Sequence, residues 1–305
     1  MLAPSYFITG ASSGLGYHLA LELVKRAAAK QAPLTLVLAA RRESALLELR
    51  DALIAVYPAV KVYIKTLDVT RGTDAIHSAI IECHDAAGAI HGFVVNAGVF
   101  GPSRDVGSDP ATVAHEESIL RTNILGSLAT VEAAMQYIKS HGINKTPAGA
   151  QIVGVSSVAA TLLAPGLSTY AASKIALTTY LRVLAMETRG QNIAVTIVKP
   201  GFIKTPMIDH VQVPALFVTG VDPAVRGIAS HIVRRTREAF VPWWPWAILD
   251  VLVVLAPSFL VVWLVRKLFH TTPLQPRDKP AEGDVVVNVA VDPSASAVAA
   301  PVAQQ

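Results

Sequence analysis

Between residue 5 and about residue 242, short runs rich in Val, Ile and Leu alternate with longer stretches of helical spacing. The runs at 5–9, 34–39, 60–66, 92–96, 151–156 and 193–199 are apolar on both faces, as strands are when covered on both sides. The stretches between them, such as 15–29 and 43–56, place apolar residues on one helical face. Strand and helix in regular alternation predict an α/β fold: a doubly wound parallel sheet with right-handed crossovers and helices on both sides. The last strand is expected near 239–242, and no internal repeat interrupts the pattern.

The first strand runs directly into Thr9-Gly-Ala-Ser-Ser-Gly-Leu-Gly16. Gly10, Gly14 and Gly16 allow a backbone to approach a pyrophosphate closely, and the helix that follows offers unpaired N–H groups. Thr9, Ser12, Ser13 and Leu15 complete this candidate dinucleotide cradle. The plain alternative is an ordinary tight turn. The second strand ends at Arg41-Arg42, where an acidic residue would select NAD. Arginine instead suits a 2′-phosphate, so NADPH is expected, unless both are merely solvated residues at a helix start.

Tyr170 and Lys174 stand four residues apart in a helical stretch and so share a face. A phenol is a weak acid, and a nearby ammonium is expected to lower its pKa and poise it for proton transfer. A surface pair without a role is the alternative.

Taken in order, Thr9, Gly14 and Gly16, then Asn96-Ala97-Gly98, Ser157, Tyr170-Ala-Ala-Ser-Lys174 and Pro200-Gly201 resemble the motifs of the short-chain dehydrogenase/reductase family. The resemblance spans residue 5 to about 242. One departure is Val95, where the family often has a further asparagine. The resemblance implies a Rossmann-like sheet and hydride transfer between nicotinamide and a carbonyl or secondary alcohol. Tyr170 is then the proton donor, Ser157 the holder of the substrate oxygen, Lys174 the tuner and ribose ligand, and Asn123 a fourth member serving a proton relay. Ser157, thirteen residues before Tyr170, fits that relation better than Ser156. Asp68 and Val69 are implied at the adenine, Asn96, Ala97 and Gly98 along the dinucleotide, and Pro200, Gly201, Ile203 and Thr205 at its nicotinamide end. Plainer readings are a helix-capping Asp68 and a polar helix break at Asn123. The helices bearing Asn123 and Tyr170 resemble those that pair across the family's dimer axis, so a homodimer is expected. An NADPH-binding scaffold without turnover is the rival reading.

Apolar residues make up 52% of the 305-residue chain and charged ones 16%, against about 45–50% and about 25% in ordinary soluble domains. Much of that excess lies at 247–265, nineteen residues with one charge, Asp250, and one helix breaker, Pro257. Trp243, Trp244 and Trp246 precede it as an interfacial aromatic anchor, and Arg266-Lys267 closes it. Residues 243–270 are therefore expected to meet membrane lipid, with the catalytic domain, 1–242, facing the cytoplasm. A spanning helix, a kinked hairpin in one leaflet, and a helix buried in a dimer or substrate mouth all remain open. Residues 271–305 read as a disordered tail, and no removable leader is expected before the first strand.

The segment 205–221, with Met207, Ile208, Val211, Val213, Leu216 and Phe217, is expected to cover an apolar carbonyl substrate. Residues 158–167 face it, with Leu162, Leu163 and Leu167, and the nearest cation is Lys204. Lone Cys83 permits no intrachain disulfide. Nine scattered histidines, His210 in the covering segment among them, show no metal-ligand spacing, and no metal is expected. A net charge of +4 without a basic stripe argues against nucleic acid.

Overall fold

The computed structural model describes residues 5–101, 106, 113–205 and 217–268, and the backbone alone at 258, 264–266 and 268. Its main elements run β1 (Ser5–Thr9), α1 (Gly14–Lys30), β2 (Thr35–Ala40), α2 (Glu43–Val56), β3 (Lys61–Thr66), α3 (Thr73–Ala87), β4 (Gly92–Val95), α4 (Val113–Leu120), α5 (Ser127–Ser140), β5 (Ala150–Val155), α6 (Ser168–Glu187), β6 (Ile193–Pro200), β7 (Phe202–Ile203), β8 (Val218–Thr219), α7 (Val221–Arg234), β9 (Glu238–Val241), α8 (Trp246–Leu255) and α9 (Ser258–Leu268). By its contacts the chain divides into Met1–Thr271 and Thr272–Gln305. The expected tail lies outside the described residues.

Seven strands form a parallel sheet in the order β3-β2-β1-β4-β5-β6-β9. β1 alternates between two cores. Tyr6 and Ile8 join Leu19, Leu23 and Leu46 from α1 and α2, with Ile228 and Ile232 from α7. Phe7 faces the other way, among Ile80 of α3, Ile138 of α5 and Leu181 of α6. Cys83 is buried in this second layer, and burial pushes its thiol up to about 11. Strand order reverses between β1 and β4, which opens a crevice at the C-terminal ends of the strands, where ligands of open α/β sheets bind.

The apolar C-terminal block corrects one expectation. No described helix is long and apolar enough to cross a membrane. Ala256, just before Pro257, is extended (φ −78°, ψ 146°), because proline disfavours helix in its predecessor. The block is thereby split into α8, of 10 residues, and α9, of 11. Ten residues rise about 15 Å, half the hydrocarbon thickness. The aromatic anchor divides as well: Trp243 and Trp244 are 67% and 55% exposed, whereas Trp246 is 2% exposed and faces inward.

Candidate active site

The turn after β1 is built by close approach. Gly10 has φ +67°, and a Cβ on it would fall 2.8 Å from Ala97 Cα. A Cβ on Gly16 would fall 2.4 Å from Gly10 O and 2.5 Å from Asn96 Nδ2. Asn96 donates from Nδ2 to Thr9 O (2.9 Å) and Gly10 O (3.2 Å). Thr9 Oγ1 accepts from the N–H groups of Asn96 (3.1 Å) and Ala97 (3.2 Å). Thr9 and Asn96 therefore shape the turn, tying β1 to β4. Space over Gly14 is open, and Ser13 provides no side-chain cap to α1, so the helix N-terminus is suited to phosphate. The residues fit a dinucleotide pyrophosphate.

At the rim, Arg42 Nη2 donates to Ser12 Oγ (3.2 Å) and Ser12 O (3.3 Å), placing its guanidinium against the glycine turn. Arg41 is exposed beside it. Asp68 uses its carboxylate locally: Oδ1 accepts from Thr70 N (3.0 Å) and Thr70 Oγ1 (2.8 Å), capping the short 3-10 turn Val69–Arg71 rather than the longer α3. Val69 is buried against Gly126.

Opposite, α6 brings Tyr170 and Lys174 to the ends of β4 and β5. Lys174 is 5% exposed, and its Nζ donates to Val155 O at 3.0 Å and lies 5.7 Å from the Tyr170 ring centre. A Cβ on Gly98 would meet Asn123 Oδ1 at 3.2 Å and Lys174 Nζ at 3.6 Å, so these three groups are neighbours. Asn123 sits in a π-helical turn, Arg121–Gly126, between α4 and α5. Such widened turns often occur at functional sites. The Asn123 amide is locked by Val99, accepting from its N–H (2.8 Å) and donating to its carbonyl (2.9 Å). It also donates to Ser173 Oγ (3.2 Å), which donates to Tyr170 O (2.7 Å). Ser157 Oγ accepts from Ala159 N at 3.1 Å, starting the turn Val158–Ala160. Ser156 instead faces α6, bonded to Thr178 Oγ1 (2.7 Å) and Lys174 O (3.2 Å).

The tuning differs from expectation. Burial pushes the Tyr170 phenol up to about 12, only partly opposed by hydrogen bonding with Ser157. Burial also lowers the Lys174 ammonium to about 8. Lys174 Nζ makes its short contact with Val155 O and lies 5.7 Å from the Tyr170 ring centre. What results is a tyrosine that stays protonated at neutral pH but is a weaker acid than a free one, so its fitness as a donor rests on its place beside Ser157 and Lys174.

The short chain dehydrogenase family model matches residues 5–213. This chain belongs to the short-chain dehydrogenases. It is 32% identical over 241 residues to an uncharacterized oxidoreductase of Mycobacterium tuberculosis, covering 79% of this chain and 88% of that one. It is 30% identical over 287 residues to 11-beta-hydroxysteroid dehydrogenase A of Arachis hypogaea, covering 88% and 76%. Among solved structures the fold is similar to levodione reductase, with TM-score 0.66, 21% identity and 77% and 93% of the two chains covered. It is also similar to an alcohol dehydrogenase from the archaeon Thermococcus sibiricus complexed with 5-hydroxy-NADP, with TM-score 0.64, 19% identity and 78% and 97% covered. The short-chain dehydrogenase is thus an oxidoreductase, not a mere scaffold.

In this short-chain dehydrogenase Pro200 and Ile203 are buried, Gly201 and Thr205 partly so, and Thr205 Oγ1 donates to Ile203 O at 3.2 Å. Of the expected substrate cover, 206–216 lie outside the described residues, His210 with them. Two features were missed in the sequence. Phe100 stands edge-on to Tyr170, with centroids 4.7 Å apart. Trp246 packs with Val158 and Leu162, directly after Ser157. No periodicity sets Trp246 apart from Trp243 and Trp244.

Proposed function

We propose that the chain is an NADPH-dependent reductase of apolar ketones or aldehydes, working as a homodimer at a membrane surface with its catalytic unit on the cytoplasmic side. The observation that carries the reaction is the placing of the Tyr170 phenol beside Ser157 and one helical turn from Lys174, whose Nζ lies 5.7 Å from the ring centre. NADPH supplies the hydride when bound. The Gly10–Gly16 turn and α1 would hold its pyrophosphate, Arg41 and Arg42 its 2′-phosphate, and Lys174 its nicotinamide ribose. Tyr170 gives its phenolic proton to the substrate oxygen, which Ser157 Oγ orients. Asn123, fixed by Val99, keeps a polar path beside Lys174 for proton return.

Apolar walls support the substrate class. Val158, Leu162 and Leu167 are buried beside the catalytic serine, and Phe217 packs near them. Sulfoacetaldehyde, named for a relative in Chromohalobacter salexigens 33% identical over 204 residues, carries an anion. The described wall brings no cation to meet one, since Lys204 is exposed. A hydroxysteroid, named for the Arachis hypogaea relative, is the better analogue. Membrane contact is supported by the outer face of α8 and α9, where Val254, Leu255 and Phe259 are exposed while Asp250 turns inward. Two short helices with an apolar outer face suit one leaflet. The dimer is supported by exposed Leu125, Ile175, Val183 and Met186 around α5 and α6. The test is NADPH oxidation with a panel of apolar ketones, with NADH and Tyr170→Phe as controls. Equal use of NADH, or turnover confined to anionic aldehydes, would refute the reading.

A further inference from the structure

Trp246 is the largest fully buried side chain among the described residues, and it enters from outside the sheet as the first residue of α8. Its indole covers Gly201 so closely that a Cβ there would fall 2.2 Å from Nε1 and 2.7 Å from Cε2. On another side it packs with Val158 and Leu162, which follow Ser157. Phe202 and Phe217 flank it, with centroids 5.7 and 5.4 Å away. The ring therefore lies between the turn that bears Ser157 and the turn that bears Gly201. Its Nε1–H is buried with no hydrogen-bond partner, an unfavourable state that native structures seldom keep without cause.

One charge on the same helix faces β6, its Oδ1 buried without a hydrogen bond. Asp250, one turn on, lies 3.7 Å from Lys199 Nζ, and Lys199 is 1% exposed. Lys199 also meets Glu238 at 2.6 Å, and Arg182 meets Glu238 at 2.8 Å. Lys199 directly precedes Pro200-Gly201, so the ion pair and the indole meet the end of β6 and the turn just after it.

We propose that Trp246 is a positioning residue for the reaction: packed behind Gly201, it fixes the gap between the Gly201 and Ser157 turns at the nicotinamide end of the bound dinucleotide. This rests on the dinucleotide reading above and adds a wall contributed by the C-terminal helix. Leaving Trp246 as the lone tryptophan tests it directly, in the full chain carrying Trp243→Phe, Trp244→Phe and Trp263→Phe, three exposed positions. Oxidised NADP, whose nicotinamide would lie across Gly201 from the indole, should quench Trp246 emission. 2′-Phospho-ADP-ribose, which lacks the nicotinamide, should bind and leave the emission nearly unchanged. Equal response to the two bound nucleotides would overturn the proposal. Binding of neither would remove the dinucleotide reading and the proposal with it. In the otherwise native chain, Trp246→Ala should lower kcat roughly 10- to 100-fold, since small misplacements of a reacting group cost that much. Its affinity for 2′-phospho-ADP-ribose should stay near native, and Trp246→Phe should restore part of kcat. An unchanged kcat in the alanine variant, with turnover intact in the native chain, would sink the positioning role and leave the reductase reading standing.

Discussion

Burial acts on Tyr170 and Lys174 in opposite directions of charge but to one end, since it opposes the ionised form of each. The phenol stays protonated up to about 12, and the ammonium is lost above about 8. Reduction needs the proton on Tyr170 and the charge on Lys174. Its kcat/KM should therefore hold steady from neutrality to about pH 8 and fall above it. A profile that rises through this range would show that the deprotonated lysine is the working form. Tyr170→Phe should lower turnover by about 10²-fold or more while NADPH still binds, because only the acid is removed. Retained turnover would exclude Tyr170 as donor. Arg42 already reaches Ser12 at the glycine turn, so Arg41→Gln with Arg42→Gln should weaken NADPH binding about tenfold or more and spare NADH. Isothermal titration with both cofactors decides this. That Tyr170 and Lys174 share one face of α6 was legible in their spacing, whereas Ser157 was singled out by the resemblance and not by the residues alone. Asp68 was less so, since a carboxylate after a strand can face a ligand or bond its own backbone, and here it bonds Thr70.

At the scale of elements, the strands were readable because a run apolar on both faces has one good destination, the middle of a covered sheet. α2 matches its expected bounds, and β2 shifts by one residue, to Thr35–Ala40. The apolar block was not readable in the same way. Composition alone cannot distinguish an apolar face turned to lipid from one turned to a wall, and α8 has both. The one charge of the block, Asp250, is turned by the fold to Lys199 on β6, far along the chain. Lys199 should then matter more than Asp250. Lys199→Ala leaves Asp250 without its cation, while Glu238 keeps Arg182, and should cost about 1–3 kcal/mol, as a partly buried group left unpaired does. Asp250→Ala leaves Lys199 still paired with Glu238 at 2.6 Å and should cost about 1 kcal/mol or less. Denaturant melts of both variants check the order, and equal losses would contradict it. Burial works to raise the Glu238 carboxyl, but bonds from Arg182 and Lys199 outweigh it and hold the group below its usual range. The stability it contributes is therefore present at neutral pH and lost on acidification through that lowered value.

For the whole molecule, the question is how the two C-terminal helices relate to the catalytic unit. A segment that served only as an anchor could be removed without harm. Here Trp246 packs on Gly201 and Val158, and Leu249 and Val253 join the same cluster with Phe240 of β9. A chain ended after Pro242 loses this packing and uncovers Val158, Leu162 and Phe240 at once, an apolar patch beside the catalytic serine. It should aggregate or lose turnover even though every motif residue from Thr9 to Thr205 is retained. A chain ended after residue 270 keeps α8 and α9 and should retain turnover. Membranes give the complementary arm. With α8 and α9 each too short to cross, alkaline carbonate should release the full chain into the supernatant. Flotation with neutral phosphatidylcholine vesicles should still carry it upward, through Trp243, Trp244, Leu255 and Phe259 on the exposed face. Replacing Leu255 and Phe259 by serine should abolish flotation while leaving NADPH binding intact, since both point away from the site. Flotation unaffected by those changes would place the lipid contact elsewhere. Resistance to carbonate would mean that the two helices insert more deeply than their length allows for separate spans.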